Sequence, residues 1–182
     1  MRVPAVLTIG HSNRSLQDFI STLNFYNVEK IVDVRTIPRS RNNPQFNLQT
    51  LPEKLRKSGI GYVHMAGLGG LRHARKDSLN TGWRNASFRG FADYMQTDEF
   101  EKSLMELSDL AKHKRVCLMC AEVLPWRCHR SLIADALTVR GIQVEHIFNI
   151  KSCRPHAITP FARIKGVRIS YPQDILLTKP LP

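Results

Sequence analysis

The chain has 182 residues, 42% of them hydrophobic, enough to build a proper core within one domain and without need of a second. Its 27 Lys and Arg against 15 Asp and Glu leave a formal charge of +12, which favours polyanionic partners or phosphate-bearing substrates. No run is long and apolar enough to span a bilayer, no leader pattern stands at the start, and four cysteines do not make a secreted disulfide framework, so a cytoplasmic protein with reduced, metal-bound or catalytic thiols is expected.

Val3 to Gly10 is an apolar run, and Leu16, Phe19, Ile20 and Leu23 follow at helical spacing with Ser15 and Asp18 as a start signal. This is a strand, a tight glycine turn and a helix, and the amides beside His11, Ser12 and Asn13 can hold an anion. Lys30 to Arg35 reads as a second buried strand. After it, two prolines and the paired Asn42 and Asn43 forbid regular structure over residues 36–46. At least one of Asp33, inside that strand, and Arg35, at its end, needs a partner or lines a crevice, with a mere bridge between the two as the structural alternative. Arg35, Arg39 and Arg41 together suit phosphate recognition.

Leu51 to Lys57 is a short helix with Pro52 in its first turn and Gly59 past its end. Gly61 to Met65 is a third strand, leading into a glycine-rich turn over residues 67–73 that matches neither common phosphate-binding fingerprint. Residues 74–87 read as a polar, mobile flap carrying Trp83 and Arg84. Phe88 to Met95 starts a helix presenting Arg89, Asp93 and Tyr94; a second, from Asp98 to His113, has Phe100, Leu104, Leu107 and Ala111 on its apolar face.

Val116 to Met119 has the length and composition of a strand buried on both faces, and after Pro125 a helical pattern returns with Leu132, Ile133, Ala136 and Leu137, stopped at Gly141. The loop between them holds Cys120, Glu122, Trp126, Arg127, Cys128, His129 and Arg130, the densest run of reactive side chains in the chain. Ile142 to Phe148 reads as the last strand. Residues 151–182 form a basic, proline-containing tail, packed on or extending from a single domain over residues 1–150.

Strands alternating with helices predict an α/β fold, a three-layer sandwich with a mainly parallel sheet of about five strands. The loops bearing His11 and Ser12, Arg35 to Arg41, and Cys120 to Arg130 then gather at one edge, and the strands' carboxyl ends form the usual ligand crevice.

Thr8-Ile-Gly-His-Ser12, Asp33-Val-Arg35 with Pro38 and Ser40, the Leu68-Gly-Gly70 turn, Phe88-Arg-Gly-Phe-Ala-Asp-Tyr94, and Cys120-Ala-Glu122 leading to Cys128-His-Arg130 together resemble the family known as domain of unknown function 488. The resemblance covers roughly residues 5–148. It implies a compact α/β domain and marks these residues as the site, but names no reaction. Cys117 and Cys153 lie outside its motifs.

Three chemistries suit the cluster. As a metal site, Cys117 and Cys120 have knuckle spacing and Cys128 with His129 completes four ligands. Residues three apart on a strand face opposite sides, however, which leaves Cys120, Cys128, His129 and His11 as a less regular set. As covalent or redox chemistry, Cys120 or Cys128 is the reactive thiol and His129, His11 or Glu122 its base, with Arg127, Arg130 and a helix start near His129 favouring the thiolate. Six residues separate Cys120 from Arg127, one more than the phosphatase loop encloses. As acid–base chemistry without a thiol, His11 and Glu122 work while Arg35, Arg39 and Arg130 hold phosphate; this uses all three loops and ranks narrowly first.

The expectation is therefore an enzyme, a hydrolase or transferase, acting on a nucleotide, nucleic acid or other phosphate-bearing substrate. His11, Glu122, Cys120, Cys128 and His129 are the catalytic candidates; Ser12, Asp33, Arg35, Arg39, Arg130 and Tyr94 are the substrate-binding ones. No cofactor or metal is identifiable. The rivals are a non-catalytic nucleic-acid-binding module using Arg39, Arg41 and the tail, and a metal or redox protein using Cys120 and Cys128. Trp83 and Trp126 are expected to pack rather than stack on bases, Glu122 to have Arg130 as its alternative partner, and His64, His73, His113, His146 and His156 to be structural or surface groups.

Overall fold

Along β1 (Val6–Gly10), β2 (Lys30–Asp33) and β4 (Val116–Cys120), successive side chains enter two different cores, which is why each strand reads as an apolar run. Leu7, Ile9, Ile31, Cys117 and Met119 pack with Phe19 and Leu23 of α1 (Leu16–Phe25) and Leu51 and Leu55 of α2 (Leu51–Lys57). Val6, Val32, Val116 and Leu118 pack on the other face with α3 (Ala86–Tyr94), α4 (Asp98–His113) and α5 (Arg130–Thr138). The Ser15 hydroxyl caps α1 by accepting the Asp18 amide at 3.0 Å.

The computed structural model describes residues 5–173. With β3 (Gly61–His64), β5 (Val144–Asn149) and β6 (Ser152–Pro155), the main sheet has the order β3-β2-β4-β1-β5-β6. The first five strands in that order are parallel, and β6 is antiparallel to β5. This is the expected three-layer α/β sandwich, with one strand more than the five anticipated. Among the described residues, no helix is long and apolar enough to cross a membrane.

The strand after α5 is not the last. A turn in which the Asn149 side chain accepts the Lys151 amide at 2.8 Å reverses the chain into β6, and β7 (Arg163–Lys165) pairs with β8 (Arg168–Ser170) around Gly166, whose φ is +62°. These strands are short and largely exposed, so no apolar run announces them. Immediately past β8 the chain returns to the core: Tyr171 is fully buried and donates its hydroxyl to Asp135 at 2.8 Å. The remainder of the expected tail, residues 174–182, lies outside the described residues.

Two buried carboxylates hold the irregular segments. Asp135 on α5 accepts His156 Nε2 at 2.8 Å, the Thr159 hydroxyl at 2.7 Å and amide at 3.0 Å, besides Tyr171. Asp93, expected to be presented by α3, instead faces inward and accepts the Arg75 amide at 2.8 Å, Ser78 Oγ at 2.6 Å and Asn80 Nδ2 at 2.7 Å. The segment read as a flap is thereby anchored, and Trp83 packs its ring 4.7 Å from Phe88 and 4.9 Å from Phe161.

Asp135→Ala leaves four donors without their acceptor and is expected to cost roughly 3–5 kcal/mol in urea unfolding, whereas Tyr171→Phe, losing one hydrogen bond, costs about 1 kcal/mol. Equal losses would show that Asp135 is not the anchor.

Candidate functional site

Parallel strands deliver their carboxyl ends to one edge, and there the loops after β1, β2 and β4 enclose a cavity of about 610 Å³. The first and third loops are zipped together: the His11 amide donates to Cys120 O at 2.9 Å and the Ser12 amide to Ala121 O at 3.0 Å. Gly10 permits this approach, since a Cβ there would stand 2.0 Å from the Glu122 carbonyl oxygen.

One wall is a buried ion pair. Asp33 is fully buried; it accepts Arg35 Nε at 2.9 Å, Arg35 Nη2 at 2.6 Å and the Tyr62 hydroxyl at 2.7 Å. Arg35 Nη2 also donates to Phe46 O at 2.7 Å, and Nη1 donates to His11 Nε2 at 3.2 Å. A guanidinium only donates, so His11 Nε2 accepts and its proton sits on Nδ1, where it is given to Ser12 O at 2.9 Å. The ring stacks 4.3 Å over Phe46. Burial above all, with Arg35 beside it, pulls the His11 pKa from 6.5 to about 4. The lone pair that a general base needs is thus already engaged.

The opposite wall is the thiol cluster. A short 3₁₀ turn, Pro125–Arg127, folds the loop back so that Cys128, just ahead of α5, lies against Cys120 at the end of β4. Cys120 Sγ, Cys128 Sγ and a ring nitrogen of His129 all lie within 4.8 Å of one another. His129 Nε2 donates to Val34 O at 3.0 Å, which leaves Nδ1 bare and 3.7 Å from Cys128 Sγ. Arg130 Nε donates to the same sulfur at 3.4 Å. The thiol of Cys120 hydrogen-bonds to Cys128 and, with His129 and Arg130, draws the Cys128 pKa well below the ordinary thiol range despite burial. Cys120 is driven the opposite way by that same bond and by burial.

The paired glycines over β2's outgoing loop belong to this cluster. A Cβ on Gly70 would stand 2.4 Å from His129 Nδ1, so only a bare backbone can lie across that ring. A low-pKa thiol beside an unprotonated imidazole nitrogen can act as a nucleophile. With Cys120 it can form a redox pair, and with Cys120 and His129 it offers three ligands to a metal, with a fourth position open to the cavity.

His11, Ser12, Arg35, Arg39, Cys120, Glu122, Cys128 and His129 all line this one cavity. Asp33 lies behind Arg35. Arg130, 1% exposed, lies beneath the loop with its guanidinium spent on Cys128, on Thr8 Oγ1 at 3.3 Å and on Glu122 O at 2.5 Å. It is therefore the backbone of Glu122, not its carboxylate, that meets Arg130; the carboxylate accepts the Leu124 amide at 3.3 Å. Tyr94 sits apart, donating its hydroxyl to Gly67 O at 2.7 Å under the guanidinium of Arg72. Cys117, on the far face of the sheet from Cys120, is a core residue, and burial pushes its thiol pKa up. Gly70 belongs to the Leu68-Gly-Gly70 turn that the family resemblance marked; Phe46 and the Val34 carbonyl were not anticipated and left no trace in the sequence.

A family model described as domain of unknown function DUF488 matches residues 15–137. No curated protein and no solved structure matches the chain.

Between pH 6.5 and 4 the unfolded chain binds a proton that folded His11 refuses, so stability falls as the pH drops through that window. The loss attributable to His11 approaches about 3 kcal/mol at the acid end. Chemical denaturation of the wild type and His11→Gln from pH 7 to 4.5 should show a shallower decline in the variant; parallel curves would place the titration elsewhere.

Proposed function

The chain belongs to the DUF488 domain family, matched over residues 15–137, and since membership supplies no reaction, we propose from the site that the protein is a thiol-dependent hydrolase or transferase for a phosphate-bearing substrate. The observation that carries this is Cys128 Sγ, held between His129 Nδ1 at 3.7 Å and Arg130 Nε at 3.4 Å on the wall of the cavity. It displaces the pair His11 and Glu122 as the acid–base centre, because Arg35 occupies the His11 lone pair.

The Cys128 thiol passes its proton to the bare His129 Nδ1, and the resulting thiolate attacks an electrophilic carbon and forms a sulfur–carbon bond. The bond to the leaving oxygen or nitrogen breaks, and the proton on His129 Nδ1 passes to it. Water, or the hydroxyl or amine of an acceptor, then adds to the same carbon, returns its proton to Nδ1, and releases sulfur as thiolate. Val34 O keeps the imidazole oriented throughout by holding Nε2–H. Arg39 and Arg127, exposed on the cavity wall, bind the phosphate. Carbon is favoured over phosphorus because Trp126 and Ala134, not arginines, stand six residues after Cys120 and Cys128, and Arg130 is already spent.

A second reading rests on the donor atoms within 4.8 Å of one another: Cys120, Cys128 and His129 hold a zinc ion, with Val34 O orienting the histidine and Glu122 beside the open position. Elemental analysis of protein purified without chelator separates the two. Stoichiometric zinc, lost in Cys120→Ser, assigns a metal centre; a zinc-free protein with a reactive Cys128 assigns the nucleophile.

Alkylation by iodoacetamide, read by mass spectrometry, should label Cys128 at pH 6 well ahead of Cys117 and Cys153, and His129→Ala should slow that labelling. Labelling of Cys128 only above about pH 8 would mark an ordinary thiol. Against a panel of phosphorylated esters and amides, turnover should vanish in Cys128→Ser; turnover retained there sinks the proposal.

A further inference from the structure

On the far side of the Pro125–Arg127 turn lies a second cavity, of about 350 Å³. The turn is a partition, with Arg127 on the thiol side and Trp126 on the other. The two tryptophans differ sharply: Trp83 is wedged among Phe88, Phe161 and Tyr171, whereas Trp126 is 58% exposed. Its ring stands 6.0 Å from that of Phe148 at a tilt of 42°, and the Arg154 guanidinium lies 5.7 Å over Phe148. The polar groups on the cavity wall are mostly committed. His146 Nε2 bonds His156 Nδ1 at 3.0 Å, and His156 Nε2 bonds Asp135 at 2.8 Å. A ligand here meets ring faces and cations, with few free hydrogen-bonding groups.

We propose that this cavity is a nucleobase subsite, in which the ring stacks on Trp126 and Phe148 while its phosphate reaches across the turn to Arg127 at the thiol cavity. Exposed aromatic faces beside arginines, on a chain of charge +12, match a planar base carrying an anion. A purely apolar occupant would leave Arg127, across the turn, without the anion that the proposed phosphate supplies, and a sugar would find too few free polar groups. The phosphate half rests on the substrate class proposed above; the stacking half does not depend on Cys128.

The test is a fluorescence titration of the full chain with a nucleoside monophosphate, a short single-stranded oligonucleotide, and ribose 5-phosphate as the base-free probe. Both base-bearing probes should quench tryptophan emission, and ribose 5-phosphate should bind roughly tenfold more weakly or worse. Trp126→Ala, an exposed position, should abolish the quench and weaken both by a similar factor, and Phe148→Ala should weaken both. Tighter, steeply salt-dependent binding of the oligonucleotide identifies a nucleic-acid strand as the source of the base; equal affinities identify the free nucleotide. Base-independent binding, or affinity unchanged in Trp126→Ala, overturns the proposal. So does a dimer that Trp126→Ala dissociates while nucleotide affinity stays the same, which would make the face a contact between copies. Quenching alongside an unreactive Cys128 removes the thiol reading alone, and a reactive Cys128 without quenching removes this one alone.

Discussion

A guanidinium almost without access to water is the constraint around which this structure closes. Arg130 is 1% exposed, and a charge in that position is tolerated only when every donor is used. Its donors reach Cys128 Sγ, Thr8 Oγ1 and the Glu122 and Val123 carbonyls, binding the first helical residue of α5 to β1 and to the loop that leaves β4. Thr8 Oγ1, accepting from Arg130, shares a further hydrogen bond with His146 Nδ1 at 2.7 Å. His146 Nε2 in turn bonds His156 Nδ1, and His156 Nε2 donates to Asp135. The chain of bonds runs from a buried cation to a buried carboxylate five residues later on the same helix. Burial and the neighbouring His156 lower the His146 pKa to about 3, so His146 itself stays neutral.

That arrangement joins the segment after β5 to the reactive loop. His156, Thr159 and Tyr171 meet at Asp135, and the opposite end of the same network sets the position of the cation that faces Cys128. Of four thiols, one is singled out by placement. Cys117 is enclosed by hydrocarbon, the Cys153 pKa is pushed to about 11 by burial and by Glu145 against it, and Cys120 holds its proton, donated in a hydrogen bond to Cys128. Cys128 alone combines a cation, an unprotonated imidazole nitrogen and a neighbouring helix start.

The facing wall follows different logic. Asp33 and Arg35 neutralise one another, and the surplus donor of Arg35 locks His11 into a single tautomer. The site is thus built from two arginines withdrawn from solvent for structural ends, leaving Arg39 and Arg127 exposed for an anion. Net charge alone does not reveal which cations are withdrawn.

Much of this architecture is written in the chain itself. Apolar runs such as Val116–Met119, the Ser15 cap and the glycines at positions 59 and 141 specify strands and helices through local chemistry, and their alternation specifies a parallel sheet whose loops collect at one edge. The period-two geometry of β4 also separates Cys117 from Cys120 before any coordinates are known. Direction and pairing were beyond its reach. That Arg35 turns onto His11, that Asp93 points inward, that Gly70 covers His129 and that Tyr94 stands outside the cavity depend on contacts between residues 13 to 59 positions apart, and no local pattern encodes them. The tertiary structure decided them because a buried donor must find an acceptor wherever the fold brings one within 3 Å or so, at whatever separation along the chain.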